Sequence, residues 1–130
     1  MISILTKRAD FVAANKGLRN AKPGFVLLTR PNDGFGTRYG VTVTKKIGNA
    51  VVRNRMKRRF RELLRAVLPK GGLADHDHVL IGRAGGVERD YHTMAEELQK
   101  ALARARDGRS DPSRGRRARR GNRSGKETGA

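Results

Sequence analysis

Among the many basic residues of residues 45–65, KKIGNAVVRNRMKRRFRELLR, apolar residues recur every three or four positions, which is the spacing of an amphipathic helix. When each residue advances by about 100°, the apolar side chains fall within about 120° of arc. These side chains are Val52, Met56, Phe60, Leu63, Leu64 and Val67. The opposite side carries Asn54, Arg55, Lys57, Arg58, Arg59, Arg61 and Arg65, and Arg53 lies beside the apolar stripe. The pattern predicts one core-facing side and one cationic side.

The residues before this helix predict a short helix and two strands. Thr6 is expected to cap a first helix that ends near Gly17, with Leu18 on its apolar face. Residues 25–29 and 38–45 are rich in strand-forming residues and are separated by the turn sequence PNDGFG. We expect these two strands to pair with each other in an antiparallel hairpin.

The second half of the chain predicts one strand and one more helix. Asn49 is expected to cap the basic helix, which should end before Pro69. Residues 78–84 are predicted to form a compact apolar strand, and Asp90 precedes a predicted helix with apolar residues at helical spacing. The order α-β-β-α-β-α predicts an α/β (α+β) two-layer sandwich, in which helices pack mainly on one side of a small sheet. Residues 1–106 form this domain, and residues 107–130 are expected to be a disordered tail rich in Arg, Gly and Ser.

Charge strengthens the interpretation of the basic helix. The chain has a net charge of +18, and residues 45–65 contain nine basic residues and one acid, whereas residues 66–108 contain six and seven. Like charges four residues apart, as in Lys57, Arg61 and Arg65, repel by a few tenths of a kcal/mol. An external polyanion would remove that cost, so the helix indicates nucleic-acid binding. Phe11 is either a core residue or an exposed ring on which an unpaired base could stack.

Other kinds of site have weaker support. The chain has no cysteine, and we expect a cytoplasmic protein with neither a signal peptide nor a membrane segment. His76 and His78 could share one face and supply two metal ligands, but no third ligand is placed by spacing, and polar loop residues are the favoured interpretation. The acidic residues cluster in residues 75–97, away from the cationic helix, which disfavours a Mg²⁺ nuclease. The spacing GxxxxGK(S/T) of a Walker phosphate-binding loop is absent from the sequence.

The sequence VTVTKKIGNAVVRNRMKRRFRELLR resembles the signature of the bacterial ribonuclease P protein subunit, whose hallmark is Arg-Asn-Arg, here residues 53–55. The resemblance covers roughly residues 5–104. It implies a small mixed sheet with an unusual left-handed βαβ crossover, and removal of the 5′ leader from precursor tRNA. It also implies that the catalytic RNA subunit performs the hydrolysis with Mg²⁺ that the RNA holds, while the protein supplies no catalytic residue. The implied partners are the catalytic RNA and precursor tRNA, with no membrane and no DNA.

The resemblance also implies two sets of RNA-binding residues. The set expected to bind the catalytic RNA is Lys45, Lys46, Arg55, Arg58, Arg59 and Arg65. The set expected to bind the precursor leader is Phe11, Leu28, Thr42, Arg53, Asn54, Lys57 and Arg61. Asn15 and Leu28 stand where family members often carry aromatic residues, so leader binding should depend more on phosphate contacts. The alternative is a general or ribosome-associated RNA-binding protein without a processing role.

Overall fold

The computed structural model describes residues 2–111. Its strands and α-helices follow in the order β1 Ile2–Ile4, α1 Arg8–Ala14, β2 Leu18–Ala21, β3 Phe25–Pro31, β4 Thr37–Thr42, α2 Ala50–Gly71, β5 His76–Gly82 and α3 Tyr91–Arg106. Short 3-10 helices follow β4 at Lys45–Ile47 and β5 at Ala84–Gly86. The predicted α/β sandwich with a small mixed sheet is confirmed.

The strands form one sheet in the order β1-β4-β5-β3-β2. The predicted hairpin between residues 25–29 and 38–45 is wrong, because β5 lies between β3 and β4. Strand β5 pairs antiparallel with β3 and parallel with β4, so that Leu80 stands opposite both Leu27 and Val41. A strand covered on both faces belongs in the middle of a sheet, and Val79 and Leu80 are buried on opposite faces of β5. The β4-α2-β5 unit is therefore a parallel crossover, and its left-handedness stays a prediction.

Two edge strands were not predicted. Strand β1 has three residues and pairs parallel with the first half of β4. Strand β2 pairs antiparallel with β3 and includes Leu18, which was expected on the first helix. Such short strands carry too few residues for a recognisable alternation, and tertiary pairing alone identifies them.

Two helix boundaries also differ from the prediction. Lys7, not Thr6, precedes α1, and no side chain caps this helix. Helix α2 continues through Pro69 to Gly71, although proline removes one helical hydrogen bond. The buried side chains of Val67 and Leu68 belong to the main core, and this packing stabilises the last turn.

The helices pack mainly on one face of the sheet, as predicted. Helices α2 and α3 bury that face with a core that includes Phe25 and Phe60, whose rings meet edge to face at 6.1 Å. The alternate residues of β3, Val26 and Leu28, face the other side and pack with Ala14 of α1. The short helix α1 thus covers only part of the second face, and part of that face stays open.

The last described residues attach to the outer edge of the sheet. The Asp111 carboxylate accepts a hydrogen bond from the Ala21 amide at 2.6 Å, and the Arg19 amide donates to the Ser110 hydroxyl at 2.9 Å. The predicted boundary after residue 106 stays a prediction. Most of the predicted disordered tail, residues 112–130, lies outside the described residues.

Candidate nucleic-acid interface

Helix α2 presents the cationic side that its sequence predicts. The Asn49 side chain accepts a hydrogen bond from the Val52 amide at 3.0 Å and caps the helix as expected. The core-facing residues Met56, Phe60, Leu63, Leu64, Val67 and Leu68 are buried. Arg55, Arg58 and Arg65 are exposed on the other side. A row of arginines is therefore held at the surface by a helix whose opposite side is fixed in the core.

A trough lies between α1, the open face of the sheet and α2. It consists of two cavities of about 380 and 180 Å³, and the linings of both include Arg8, Phe11 and Thr42. Lys57 of α2 lines the larger cavity, and Leu28 lines the smaller one. Neither lining contains an acidic residue. The trough thus combines an aromatic ring, polar groups and cations without a competing negative charge.

The ring of Phe11 occupies a place that only glycine leaves free. A Cβ atom on Gly40 of β4 would lie 2.5 Å from Phe11 Cε1, so the ring packs directly over the backbone of the strand. Phe11 is half-buried against the core of this face. It therefore serves in part as a core residue and in part as trough wall, which combines both interpretations of its sequence position.

The predicted leader-binding residues divide into two groups. Phe11, Leu28, Thr42 and Lys57 line the trough. Arg53, Asn54 and Arg61 lie on α2 outside both linings. The Arg53 guanidinium donates a hydrogen bond from Nε to the Gly48 carbonyl at 3.2 Å, which holds it beside the start of the helix. The structure thus brings four of the seven predicted residues together.

The residues predicted to bind catalytic RNA differ in how far they are exposed and in whether they already bind other parts of the protein. Lys45, Lys46, Arg55, Arg58 and Arg65 are exposed, and Arg65 Nε also donates to the Tyr39 hydroxyl at 3.1 Å. Arg59 instead donates to the carbonyls of Gly86, Val87 and Arg89 in the loop after β5. The guanidinium of Arg59 therefore fixes this loop against α2.

A buried ion-pair network lies beneath the N-terminal end of α1. Asp77 of β5 has no exposed surface and accepts hydrogen bonds from Arg38 Nε at 2.7 Å and from Asn32 Nδ2 at 2.9 Å. Arg30 lies 3.3 Å from the same carboxylate, and Asp10 lies 3.6 Å from both arginines. Burial alone would raise the pKa of Asp77, but the hydrogen bonds from Arg38 and Asn32 and the nearby positive charges outweigh it, so the pKa is lowered. Sequence reasoning did not find this network, because its members come from four separate elements.

The two histidines near the start of β5 have structural surroundings. His78 is buried, with Nδ1 donating to the Arg38 carbonyl and Nε2 accepting from the Leu73 amide, both at 3.0 Å. His76 Nδ1 lies 2.8 Å from the Ala74 carbonyl. Within residues 2–111 there is no cluster of three metal-ligating side chains. Both histidines lie within β5, and His78 is buried there rather than placed in a polar loop.

Arg8 is a charged residue of the trough that sequence reasoning missed. Arg8 lies three residues before Phe11, which places both on one side of α1. The three-residue spacing of Arg8 and Phe11 is visible in the sequence, but it identifies Arg8 as a trough residue only when Phe11 is known to line a cavity. The fold and this interface are typical of the class of α/β proteins that bind nucleic acid, in which an arginine-rich helix borders a cationic trough.

Comparison with known proteins identifies the family. The ribonuclease P family model matches residues 3–106. The ribonuclease P protein component of Erythrobacter litoralis is 70% identical over 115 residues, covering 88% of this chain and 95% of the relative. That of Ruegeria pomeroyi is 42% identical and covers 78% and 84% of the two chains. The chain belongs to the ribonuclease P protein family.

Solved structures agree with this assignment. The ribonuclease P protein of Thermotoga maritima is 31% identical, with a TM-score of 0.67 and coverage of 77% of this chain and 94% of that chain. The protein from Staphylococcus aureus is 32% identical, with a TM-score of 0.65 and coverage of 78% and 94%. The resemblance noted in the sequence is confirmed.

Membership settles the general role of the chain. It is a component of the ribonucleoprotein endoribonuclease ribonuclease P, it takes part in tRNA processing, and its family implies association with ribonuclease P RNA. Among the helices of residues 2–111, none combines the length and hydrophobicity that crossing a membrane requires.

Proposed function

We propose that this protein holds the 5′ leader of precursor tRNA in the trough and binds the catalytic RNA through the exposed cationic side of α2. The observation that carries the proposal is the trough itself, which has Phe11 and Lys57 in its walls and no acidic residue in its lining. Single-stranded RNA is bound by such combinations, because bases stack on aromatic rings and cations neutralise phosphates.

The leader path follows from the two cavities. An extended strand entering the larger cavity would pass Lys57, rest on the Phe11 ring and continue over Thr42 into the smaller cavity beside Leu28. Leu28 offers an apolar contact rather than an aromatic face, and the exposed Asn15 supplies an amide at the same cavity. Binding should therefore depend on phosphate contacts and on one stacking surface.

The exposed side of α2 suits a structured RNA. Arg55, Arg58 and Arg65 project into solvent from one rigid helix, with Lys45 and Lys46 just before it. Guanidinium groups bind phosphates through two parallel hydrogen bonds, so this surface can reduce the repulsion between two RNA molecules. Arg53, Asn54 and Arg61 lie on α2 outside the linings of both cavities and are proposed to contact the leader as it enters.

The chemistry is assigned to the RNA subunit. Residues 2–111 contain no cluster of three side chains suited to a metal ion, so the protein residues do not fit a Mg²⁺ site, and Mg²⁺ is proposed to be held by the catalytic RNA. The protein's share is to bind and orient the substrate where tRNA is made, in the cytoplasm. Incubating RNA-free protein with precursor tRNA and Mg²⁺ should give no cleavage, and cleavage would contradict this division.

Binding of precursor and mature tRNA to the reconstituted holoenzyme tests the proposal. Phe11→Ala and Lys57→Ala should each weaken precursor binding by about tenfold and leave mature tRNA unaffected, because mature tRNA lacks the leader. Lys70→Ala is the matched control, since it removes a lysine exposed on the same helix but outside the trough. Equal losses for precursor and mature tRNA would contradict leader binding in the trough.

Cleavage at low Mg²⁺ distinguishes a processing subunit from a general RNA-binding protein. The proposal expects the protein to lower the Mg²⁺ requirement of the catalytic RNA and to increase its affinity for precursor tRNA. A general RNA-binding protein would bind structured RNAs without either effect. If about four leader phosphates are contacted, the slope of log affinity against log salt should be steeper for precursor than for mature tRNA by about 3.

A further inference from the structure

Asp10 is the residue that joins α1 to the buried ion-pair network of the sheet. Its carboxylate lies 3.6 Å from the guanidinium groups of both Arg30 of β3 and Arg38 of β4. Among residues 2–111, no other residue of α1 takes part in an ion pair. Asp10 directly precedes Phe11, which forms part of the trough wall. The ion pairs that attach the helix to the sheet therefore lie one residue away from the ring that lines the trough.

The charges of the network balance only when α1 is in place. Arg30 and Arg38 bring two positive charges to Asp77, which has no exposed surface and carries one negative charge. Asp10 supplies the second negative charge. Its side chain is 20% exposed, and those of Arg30 and Arg38 are 26% and 18% exposed. Because opposite charges attract more strongly where less water surrounds them, the sheet attracts the first turn of α1.

The other interactions that hold α1 are modest. The helix has seven residues, and no side chain caps its N-terminus. Of its residues only Ala14 is buried, while Phe11 is half-buried over the backbone of Gly40. A helix of this length is not stable by itself in water, so its position depends on contacts with the rest of the fold. Loss of the Asp10 carboxylate would therefore let the turn that carries Phe11 shift on the sheet.

We propose that Asp10 is a positioning residue, which holds α1 against the sheet through Arg30 and Arg38 and thereby keeps Phe11 in place for the leader. The inference rests on the proposed function of the trough. Asp10 lies outside the linings of both trough cavities, so it acts through the position of α1 and not through contact with RNA. A negative charge by itself opposes the binding of a polyanion, so a favourable effect of Asp10 on leader binding has to come from positioning.

Binding of Asp10→Asn in the reconstituted holoenzyme tests this role. The variant should weaken precursor tRNA binding by about fivefold and leave mature tRNA unchanged, which corresponds to the loss of one partly exposed ion pair. A simple charge effect has the opposite sign, because removal of a negative charge would strengthen the binding of both RNAs. Glu97→Gln is the matched control, since it breaks the 2.7 Å ion pair with Arg89, at similar exposure, on α3 outside both cavity linings.

Two further measurements separate positioning from a general loss of stability. In the free protein, Asp10→Asn should speed amide hydrogen exchange in residues 8–14 and leave that of β5 unchanged, whereas faster exchange throughout the sheet would overturn the inference. In a Phe11→Ala protein, Asp10→Asn should cause no further loss of precursor binding, because the ring that Asp10 positions is absent.

The remaining outcomes distinguish this inference from the proposed function. If Asp10→Asn behaves like Glu97→Gln, changes precursor and mature tRNA equally, or adds fully to Phe11→Ala, Asp10 is not a positioning residue. The proposed function still stands in each of these cases if Phe11→Ala and Lys57→Ala weaken precursor binding alone. If those two variants do not separate precursor from mature tRNA, the proposed function itself fails.

Discussion

Replacing His78 by glutamine should remove most of the acid sensitivity of this fold between about pH 6.5 and pH 5. His78 has no exposed surface and lies on the central strand, where its neutral ring donates to the Arg38 carbonyl and accepts from the Leu73 amide. Burial lowers the pKa of His78 from 6.5 to about 4, and the charge of His76 contributes in the same direction, while backbone hydrogen bonds at Arg38 and His76 and the charge of Asp77 oppose it. The folded protein therefore keeps this ring neutral at a pH where the unfolded chain protonates it.

The pKa values of His78 in the unfolded and the folded state set the size of the change in the free energy of unfolding. Well above pH 6.5 the ring is neutral in both states, so it contributes no pH dependence there. Below that value the unfolded state binds a proton that the folded state does not, which lowers the free energy of unfolding by about 1.4 kcal/mol per pH unit. The loss reaches about 3 kcal/mol near pH 4, where the folded state also protonates. Between pH 6.5 and 5, before most carboxylates titrate, it should be about 2 kcal/mol.

Urea unfolding at several pH values measures this loss. The wild-type free energy of unfolding should fall by about 2 kcal/mol across the window at constant m-value, and that of His78→Gln by much less. His92→Gln is the control, because His92 is exposed on α3. Glutamine can lower the stability at every pH without affecting the test, which compares slopes. Equal slopes for the wild type and His78→Gln would refute the reasoning.

Three further predictions concern the network, the trough and the loop. Asp77→Asn should lower the free energy of unfolding by about 3 kcal/mol, because it removes the buried carboxylate that pairs with two partly buried arginines; chemical denaturation at pH 7 measures this. Gly40→Ala should weaken precursor tRNA binding about as much as Phe11→Ala while sparing mature tRNA, because the new Cβ displaces the Phe11 ring. Arg59→Ala should speed amide exchange in the loop after β5, and it should weaken catalytic-RNA binding less than Arg58→Ala does, because Arg59 is already engaged with backbone carbonyls.

Prediction from the sequence succeeded where the controlling interactions are local. The cap at Asn49 and the buried face that includes Met56 and Phe60 follow from spacing within one helix, and the structure confirms both. The end of α2 was predicted wrongly, because tertiary packing of Leu68 outweighs the local effect of Pro69. Pairing of the strands was also predicted wrongly, since a turn sequence predicts a hairpin but does not exclude a third strand between the two arms.

The chain's own sequence was enough to determine a cationic amphipathic helix, its family signature and the excess of positive charge, because these depend on residue type and short-range spacing. The tertiary structure alone decided which cations are available. It directed Arg59 to backbone carbonyls and Arg38 to Asp77, while Arg8 and Lys57 were placed on facing walls of one trough. Electrostatic availability depends on distances between elements far apart in the chain, and those distances are set only when the sheet and its helices pack.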